Sequence, residues 1–529
     1  MKKKLTAIAL ALAMGFGLSG CTSQQTPSTG TSPSSGEAGK PEEISLFMGT
    51  AGITYPDGFD FSDNFVIEAL EKQANVKVSK VVVPPYADSV TKFNLMMSSG
   101  DICDVIHHQY NPQDTYKLGK EGAFVELTDI IQNSEFFSKL YTPEMLAQMK
   151  ADDGKIYSFR PLLIDGDADT FGVRWDLLKE LGYTEMPDTL DGWLDAMRKL
   201  KEKYPDSLPY ISRQNLHNLE FVFRAYGCTG DCTWQYYKGK IIPAFANPLY
   251  KDALAVYRQM IQEGLMDQEF PTTNAEDYQD KRLNRNVLVN PQNIGGLTVW
   301  VGRFPQNGIE GVELIPGVYP IVDDDRIDPV TVYGGSPAIS GHTISISSKS
   351  EHQEAALRFI EALFSEENRT LTIWGREGVE YNVVDGEKVL DFEKANETSW
   401  RWIYNFPFGY NTKETLQLNI KQNIALSDLS DEEKAEYEAL FLKQANQIIE
   451  NAMTMPLNLK PLIKLEDNNL SRETEAVSEA LTIAMKTMTG EYSMEEFDKQ
   501  AAAFIEKYQF ITDDYNAKLP AVKEQLGID

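Results

Sequence analysis

The most constraining feature is the order of short apolar runs between Glu43 and His107. Ile44–Met48 reads as a strand. Phe65, Ala69 and Leu70 then fall on one face of a helix beginning near Ser62. Val76–Val83 is a β-branched run, and Val90, Phe93, Met96 and Met97 mark a second helix that stops at Gly100. Asp104–His107 is strand-like again. Strand–helix–strand–helix–strand at this spacing implies a parallel sheet covered by helices. The pattern then loosens. Leu190–Lys203, Leu216–Tyr226 and Leu249–Ile261 carry helical periodicity, and Val287–Val289, Leu297–Val301 and Val312–Ile315 read as strands. A strand is expected at His342–Ser347. A helix follows, with Ser350 and Gln353 as a capping box and Phe359, Ile360, Leu363 and Phe364 on its buried face. Further capping boxes, Ser430/Glu433 and Ser493/Glu496, open helices in a mostly helical C-terminal third. There is no internal repeat.

The first residues stand apart from that body. Lys2, Lys3 and Lys4 precede an apolar stretch, Leu5–Leu18, that is too short to span a bilayer, and Leu18-Ser19-Gly20-Cys21 follows. This arrangement resembles a bacterial lipoprotein signal (residues 1–20), in which the thiol of Cys21 takes a diacylglycerol and two or more acyl chains hold the protein on the membrane. Residues 21–42, rich in Ser, Thr, Gly, Pro and Gln, read as a flexible tether. Gly15, Gly17 and Gly20 spell a dinucleotide-binding pattern by coincidence, because no strand precedes them. The chain carries 50 Lys+Arg against 79 Asp+Glu, a net charge of −29, which becomes −32 once the three leader lysines are removed. That balance argues against nucleic acid and against a polybasic membrane patch.

Catalytic and metal signatures are missing. No phosphate loop, zinc-protease helix or nucleophile elbow occurs, and there are only five His. His107 and His108 are adjacent on a strand, so they face opposite ways and cannot chelate one ion together. Asp165, Asp167 and Asp169 alternate as calcium ligands would, but without the glycine that an EF-hand needs. Asp323, Asp324, Asp325 and Asp328 read as a solvated turn. Of the four cysteines, Cys103 reads as a small buried residue. Cys228 and Cys232 are spaced for a short-loop disulfide, and both that bridge and two free thiols are open.

Several blocks carry a family resemblance. Ser99-Gly100-Asp101-Ile102-Cys103-Asp104-Val105 resembles an S-G-D-x-P-D-V block, with Cys103 where proline is usual. Asp153-Gly154-Lys155-Ile156-Tyr157 matches D-G-K-x-Y. Arg174-Trp175-Asp176-Leu177-Leu178 with Leu181-Gly182-Tyr183, and Pro187-Asp188-Thr189-Leu190-Asp191-Gly192-Trp193, follow in order. Trp374-Gly375-Arg376-Glu377-Gly378-Val379-Glu380-Tyr381 resembles G-x-E-G-x-x-Y. In order and spacing, these resemble the family 1 extracellular solute-binding proteins, in particular their large Gram-positive lipoproteins. A calcium loop frequent in relatives is replaced here by Lys203-Tyr204-Pro205-Asp206-Ser207-Leu208-Pro209, so neither a metal nor any cofactor is carried over.

The resemblance implies an α/β, two-lobed periplasmic-binding-protein-like fold of type II, with a hinge between the lobes and a helical C-terminal part. Lobe 1 would comprise residues 43–165 and 336–400, and lobe 2 residues 166–335 and 401–529. The implied function is not enzymatic. A monomer on the outer face of the cell membrane would capture a sugar or oligosaccharide between the lobes by hinge closure and pass it to two permeases and an ATPase. Implied ligand-facing residues are Tyr55, His107, Tyr110, Arg174, Trp175, Trp300, Arg303, Trp374 and Tyr381. Uronic acids are disfavoured by net charge unless Arg174 or Arg303 overrides it locally. A surface glycosidase with a carboxylate pair and a peptide-binding lipoprotein are the alternative readings.

Overall fold

A computed structural model describes residues 40–528 apart from 51, 52, 54, 86–87, 109–111, 163–168, 334–338, 340, 409–412, 426 and 455–457. The leader, the tether through residue 39 with Cys21, and Tyr110, Asp165 and Asp167 lie outside the described residues, and the last tether residue, Glu42, opens β1. From the first strand the chain runs β1 (Glu42–Phe47), α1 (Phe65–Ala74), β2 (Val76–Val82), α2 (Ser89–Ser99), β3 (Val105–His108) and α3 (Pro112–Lys120). It continues through β4 (Asp169–Arg174), α4 (Trp175–Glu180), β5 (Val289–Asn293), α5 (Ile294–Gln306) and β6 (Leu314–Gly317). It returns through β7 (Thr343–Ile346), α6 (Gln353–Leu363) and α7 (Glu366–Trp374), and ends in long helices that include α8 (Asp467–Thr489) and α9 (Gln509–Leu526).

Lobe 1 is built on a sheet ordered β2-β1-β3-β7, with β1 parallel to β2 and β3, and β7 antiparallel to β3. The helices form where the sequence supplies both a cap and an apolar stripe. Asn64 caps α1 by accepting from the backbone N–H groups of Val66 and Ile67, both at 3.2 Å. Val66, Ile67, Leu70 and Ala74 then face the sheet. Gly100 closes α2 at φ 76°, a left-handed position that a side chain would strain. Asp104 explains its motif. Its carboxylate accepts from the N–H and hydroxyl of Ser45 on β1, both at 2.7 Å, and from Ser350 Oγ at 2.5 Å. One side chain therefore ties two parallel strands to the segment entering α6. The expected capping box does not form: Ser350 Oγ accepts from the His352 N–H at 3.0 Å, and the helix starts later, with His352 as the N-cap of α6 and no side-chain cap bond. Ser430 and Glu433 do form a reciprocal box, and Ser493 accepts from the Glu496 N–H at 3.0 Å.

Lobe 2 holds an antiparallel sheet ordered β5-β4-β6. Phe171, Trp193, Tyr210, Phe221 and Tyr257 fill its core together with Ala480, Met488, Phe504, Tyr508 and Ile511 from the C-terminal helices. The run Leu297–Val301 is not a strand. Asn293 accepts from the Gly296 N–H at 2.7 Å and starts α5, and Leu297, Val301 and Phe304 recur at helical spacing against a second core. Here the helical stripe overrides the β-branched composition. The expected helix at Leu216–Tyr226 is confined to Glu220–Ala225. Cys228 and Cys232 are both free thiols. Cys232 Sγ lies 3.0 Å from Tyr250 Oη, and Cys228 Sγ donates to the Tyr226 carbonyl at 3.5 Å. Burial pushes the Cys232 thiol up to about 12.

The chain returns to lobe 1 at Ile339 and stays in its core through Trp400, Ile403, Tyr404, Phe406 and Phe408. Among the described residues no helix is long and apolar enough to cross a membrane.

Candidate functional site between the lobes

In a parallel-sheet lobe, ligands are met at the carboxyl ends of the strands. On lobe 1 those ends present the segment after β1, the end of β3 and the start of β7. After β1, Tyr55 and Phe61 meet edge to face at 4.9 Å, as do Phe59 and Phe61 at 5.0 Å, and Phe59 lies 4.6 Å from Trp400. Tyr55 is 42% exposed, which leaves ring surface for a ligand. These rings extend to a recess of about 590 Å³ lined by Phe65, Ala69, Leu371, Arg376, Glu377 and Tyr381, among others. The Trp374–Tyr381 block builds its wall. Gly375 sits at φ 87°, and a Cβ there would lie 2.5 Å from Glu380 Cβ. That close approach lets Glu380 take both the backbone N–H and the guanidinium of Arg376, each at 2.7 Å. Trp374 meets Tyr381 at 6.0 Å, and the Lys388 ammonium sits over both rings.

At the end of β3 the two histidines diverge, as strand alternation requires. His107 stacks on Phe406 at 4.1 Å, and its Nε2 is 3.2 Å from His342 Nδ1. His108 stacks on Phe93 at 3.9 Å. Burial is the first cause of depressed basicity in all three rings: His107 is held well below the usual imidazole range, and His108 and His342 are pushed down to about 4. For His342 the second cause is the Arg160 guanidinium. All three are therefore neutral at neutral pH. Arg160 Nη1 donates to Tyr116 Oη at 2.8 Å, and the Lys464 ammonium, from lobe 2, lies 5.1 Å above the ring of the same tyrosine. No group of three or more His, Cys, Asp or Glu side chains is placed to hold a metal among the described residues.

Lobe 2 offers its Asp169/Asn293/Gly317 end, where the chain enters from lobe 1 and leaves again. Gln292 lies there, and Arg282 Nη1 donates to its Oε1 at 3.1 Å. Trp300 is buried, 6% exposed, with the guanidinium groups of Arg282 and Arg303 over its ring at 4.0 and 4.8 Å. Its position follows from α5: it stands two turns inside a helix rather than on a loop after a strand. Arg303 donates to Gln279.

Arg174 and Trp175 sit at the other end of β4, five residues from Asp169 and so ~17 Å away. Arg174 is committed to Asp176 by bonds at 2.9 and 2.6 Å, and Trp175 packs between the two lobe 2 cores. The structure thus leaves Tyr55 exposed after β1 and buries His107, expected to face a ligand, behind Phe406 and His342, and it sets Trp374 and Tyr381 at the recess. It places Trp300 and Arg303 together inside lobe 2 and sets Arg174 and Trp175 apart. Sequence reasoning missed His342, Arg160, Phe406 and Lys464. The first two could have been sought as polar residues flanking the return strand and the D-G-K-x-Y block. Lys464 has no local signal.

Comparison with known proteins agrees with this architecture. Lipoprotein LipO of Bacillus subtilis is 24% identical over 416 residues, covering 75% of this chain and 77% of LipO. The fructooligosaccharide ABC transporter substrate-binding protein FusA of Streptococcus pneumoniae is 29% identical over 232 residues, 40% of this chain and 43% of FusA. The crystal structure of alginate-binding protein AlgQ2 superposes with a TM-score of 0.64 at 18% identity, covering 91% of this chain and 98% of AlgQ2. The profile of the bacterial extracellular solute-binding proteins matches residues 56–370. The chain belongs to the bacterial extracellular solute-binding protein family.

Proposed function

We propose that this protein is the solute-capturing lipoprotein of an ABC importer for oligosaccharides, anchored through Cys21 on the outer face of the cell membrane and delivering to two permeases and an ATPase. The family match over residues 56–370 carries the reading, and the fructooligosaccharide specificity named for FusA and the alginate binding named for AlgQ2 support it. The site chemistry is compatible. Tyr55 and its neighbours Phe59 and Phe61 offer ring faces and edges for the C–H surfaces of sugars. Gln292, His342 and the backbone at the strand ends supply donors and acceptors for hydroxyls. The His342 ring, neutral at working pH, serves as a polar contact rather than as an acid or base, and His107, buried behind it, holds it through their ring nitrogens. Closure of the lobes is stabilised by ligand contacts that only the closed form makes.

The test is calorimetry and thermal shift on residues 22–529 against panels of glycans and peptides. A glycan that raises the melting temperature and is recovered intact supports the reading. Recovery of cleaved glycan supports a glycosidase, and a response confined to peptides would overturn the proposal.

A further inference from the structure

We propose that the captured saccharide carries a carboxylate, and that Lys464, with Arg160 beside it, forms the subsite that receives it. This rests on the oligosaccharide reading above and names the substrate class within it. Buried cations in this chain are held in several ways: Arg282 donates to Gln292 and lies over the Trp300 ring, and Arg401 donates to the carbonyls of Ala395 and Ile373. Arg174 has Asp176, and Lys281 has Asp267. Among the described residues the Lys464 Nζ donates to the Pro461 carbonyl alone, at 3.4 Å. No carboxylate forms an ion pair with it among the described residues.

What surrounds Lys464 is positive. Arg160 and Lys460 both act against its charge, and with burial as the largest cause the ammonium is pushed down to about 7. Lys460 has its own partner in Glu473 at 3.6 Å. An uncompensated buried cation is destabilising. Its presence at a lobe boundary is explained if a bound anion completes it.

Position supports the same conclusion. Leu462, Ile463 and Leu465 belong to the lobe 2 core, whereas Tyr116 and Arg160 belong to lobe 1. Cations from two lobes therefore converge on one tyrosine ring, Arg160 at its hydroxyl and Lys464 over its face. The site lies at the β3/β7 end of the lobe 1 sheet: Phe159 bridges Ile344, and His342 is within electrostatic reach of Arg160. Lys464 also keeps part of its surface open to solvent. A sugar carboxylate there would accept charge-assisted hydrogen bonds from both lobes at once, a contact that can form only when they approach. Arg174 and Arg303, the arginines singled out from sequence, do not fill this role, since one is taken by Asp176 and the other lies on Gln279 and Trp300.

The experiment uses residues 22–529 and calorimetry with oligogalacturonate, oligomannuronate and a glucuronate-bearing oligosaccharide, each beside its neutral methyl ester, plus a sulfated and a neutral oligosaccharide. At least one acid should bind about tenfold or more tighter than its own ester. Lys464→Met should lower that acid to the level of its ester while raising the melting temperature of the ligand-free protein. Lys464→Arg should restore the acid preference. If neutral glycans bind and no acid exceeds its ester, or only the sulfated sugar does, this inference falls while the oligosaccharide reading stands. If Lys464→Met keeps the acid preference, the assigned subsite is wrong. If no saccharide of any charge binds, the underlying reading fails.

Discussion

Acidification should destabilise the ligand-free protein through the histidines at the end of lobe 1, and the size of the effect follows from their environments. His108 and His342 are pushed down to about 4 in the folded chain, whereas an unfolded imidazole titrates near 6.5. Below that value the unfolded state binds protons that the folded state refuses, so stability falls with pH. The loss begins as pH drops through about 6.5, grows by ~1.4 kcal/mol per unit for each ring, and saturates near 4. At pH 5 each ring costs ~2 kcal/mol relative to pH 7.5, ~4 kcal/mol for the pair. His107 acts in the same direction. For a body of about 490 residues, an unfolding entropy of ~2 cal/mol/K per residue converts ~4 kcal/mol to a fall of ~4 °C in melting temperature. Carboxylates titrate in the same range and the net negative charge eases, so the clean measurement is a difference between variants. His108→Phe keeps an aromatic ring against Phe93 and removes two ring nitrogens that have no hydrogen-bond partner. Between pH 7.5 and 5 its melting temperature should fall ~2 °C less than that of the wild type. Scanning calorimetry at half-unit steps decides the matter. Parallel curves for wild type and His108→Phe would refute the claim that this ring stays neutral because it is buried.

Four further outcomes follow from packing and chemistry. Asp176→Ala strands a buried guanidinium and should cost ~3–5 kcal/mol, read as a lower melting temperature with ligand affinity unchanged, because Arg174 stands at the far end of β4. Gly119→Ala drives a Cβ into the Tyr157 ring and should lower the unfolding free energy by an overpacking penalty of ~1–3 kcal/mol, read as a lower urea midpoint. In a Cys21→Ser chain the buried thiols of Cys103, Cys228 and Cys232 should ignore a thiol reagent when native and all react in denaturant; two rather than zero oxidised cysteines by mass would contradict the free-thiol arrangement. Tyr55→Ala should weaken the identified glycan about three- to tenfold by calorimetry, with the melting temperature of the ligand-free protein little changed, since this ring is exposed.

The fold was legible where one segment's signals agreed with each other. The five elements from Ile44 to His107 combine period, caps and terminators, and the sheet of lobe 1 follows from them. Leu297–Val301 was misread because Thr298, Val299, Trp300 and Val301 favour strand locally, while the deciding signal, Asn293 as a cap with Leu297 and Val301 one turn apart, is a spacing over a longer window. The Ser350/Gln353 box fails for a related reason: the Ser350 oxygen accepts from the His352 N–H in a local turn instead, which moves the start of the helix to His352.

Site residues were less legible because exposure and pairing are tertiary properties. Arg174 and Trp300 have the residue types of a sugar site, yet Asp176 engages the first, and two guanidinium groups sit over the second. Lys464 shows the converse. Its sequence neighbours are ordinary, and what sets it apart is its place over the Tyr116 ring beside Arg160, with no carboxylate paired to it among the described residues. A net charge of −29 therefore does not decide the charge of the ligand. Screening weakens the summed field of exposed acids over about 8 Å at physiological ionic strength, whereas a buried cation lacking a counter-ion acts on whatever enters beside it with little screening. Over the distances at which a sugar is held, the local term dominates, and at the Tyr116 boundary that term is positive.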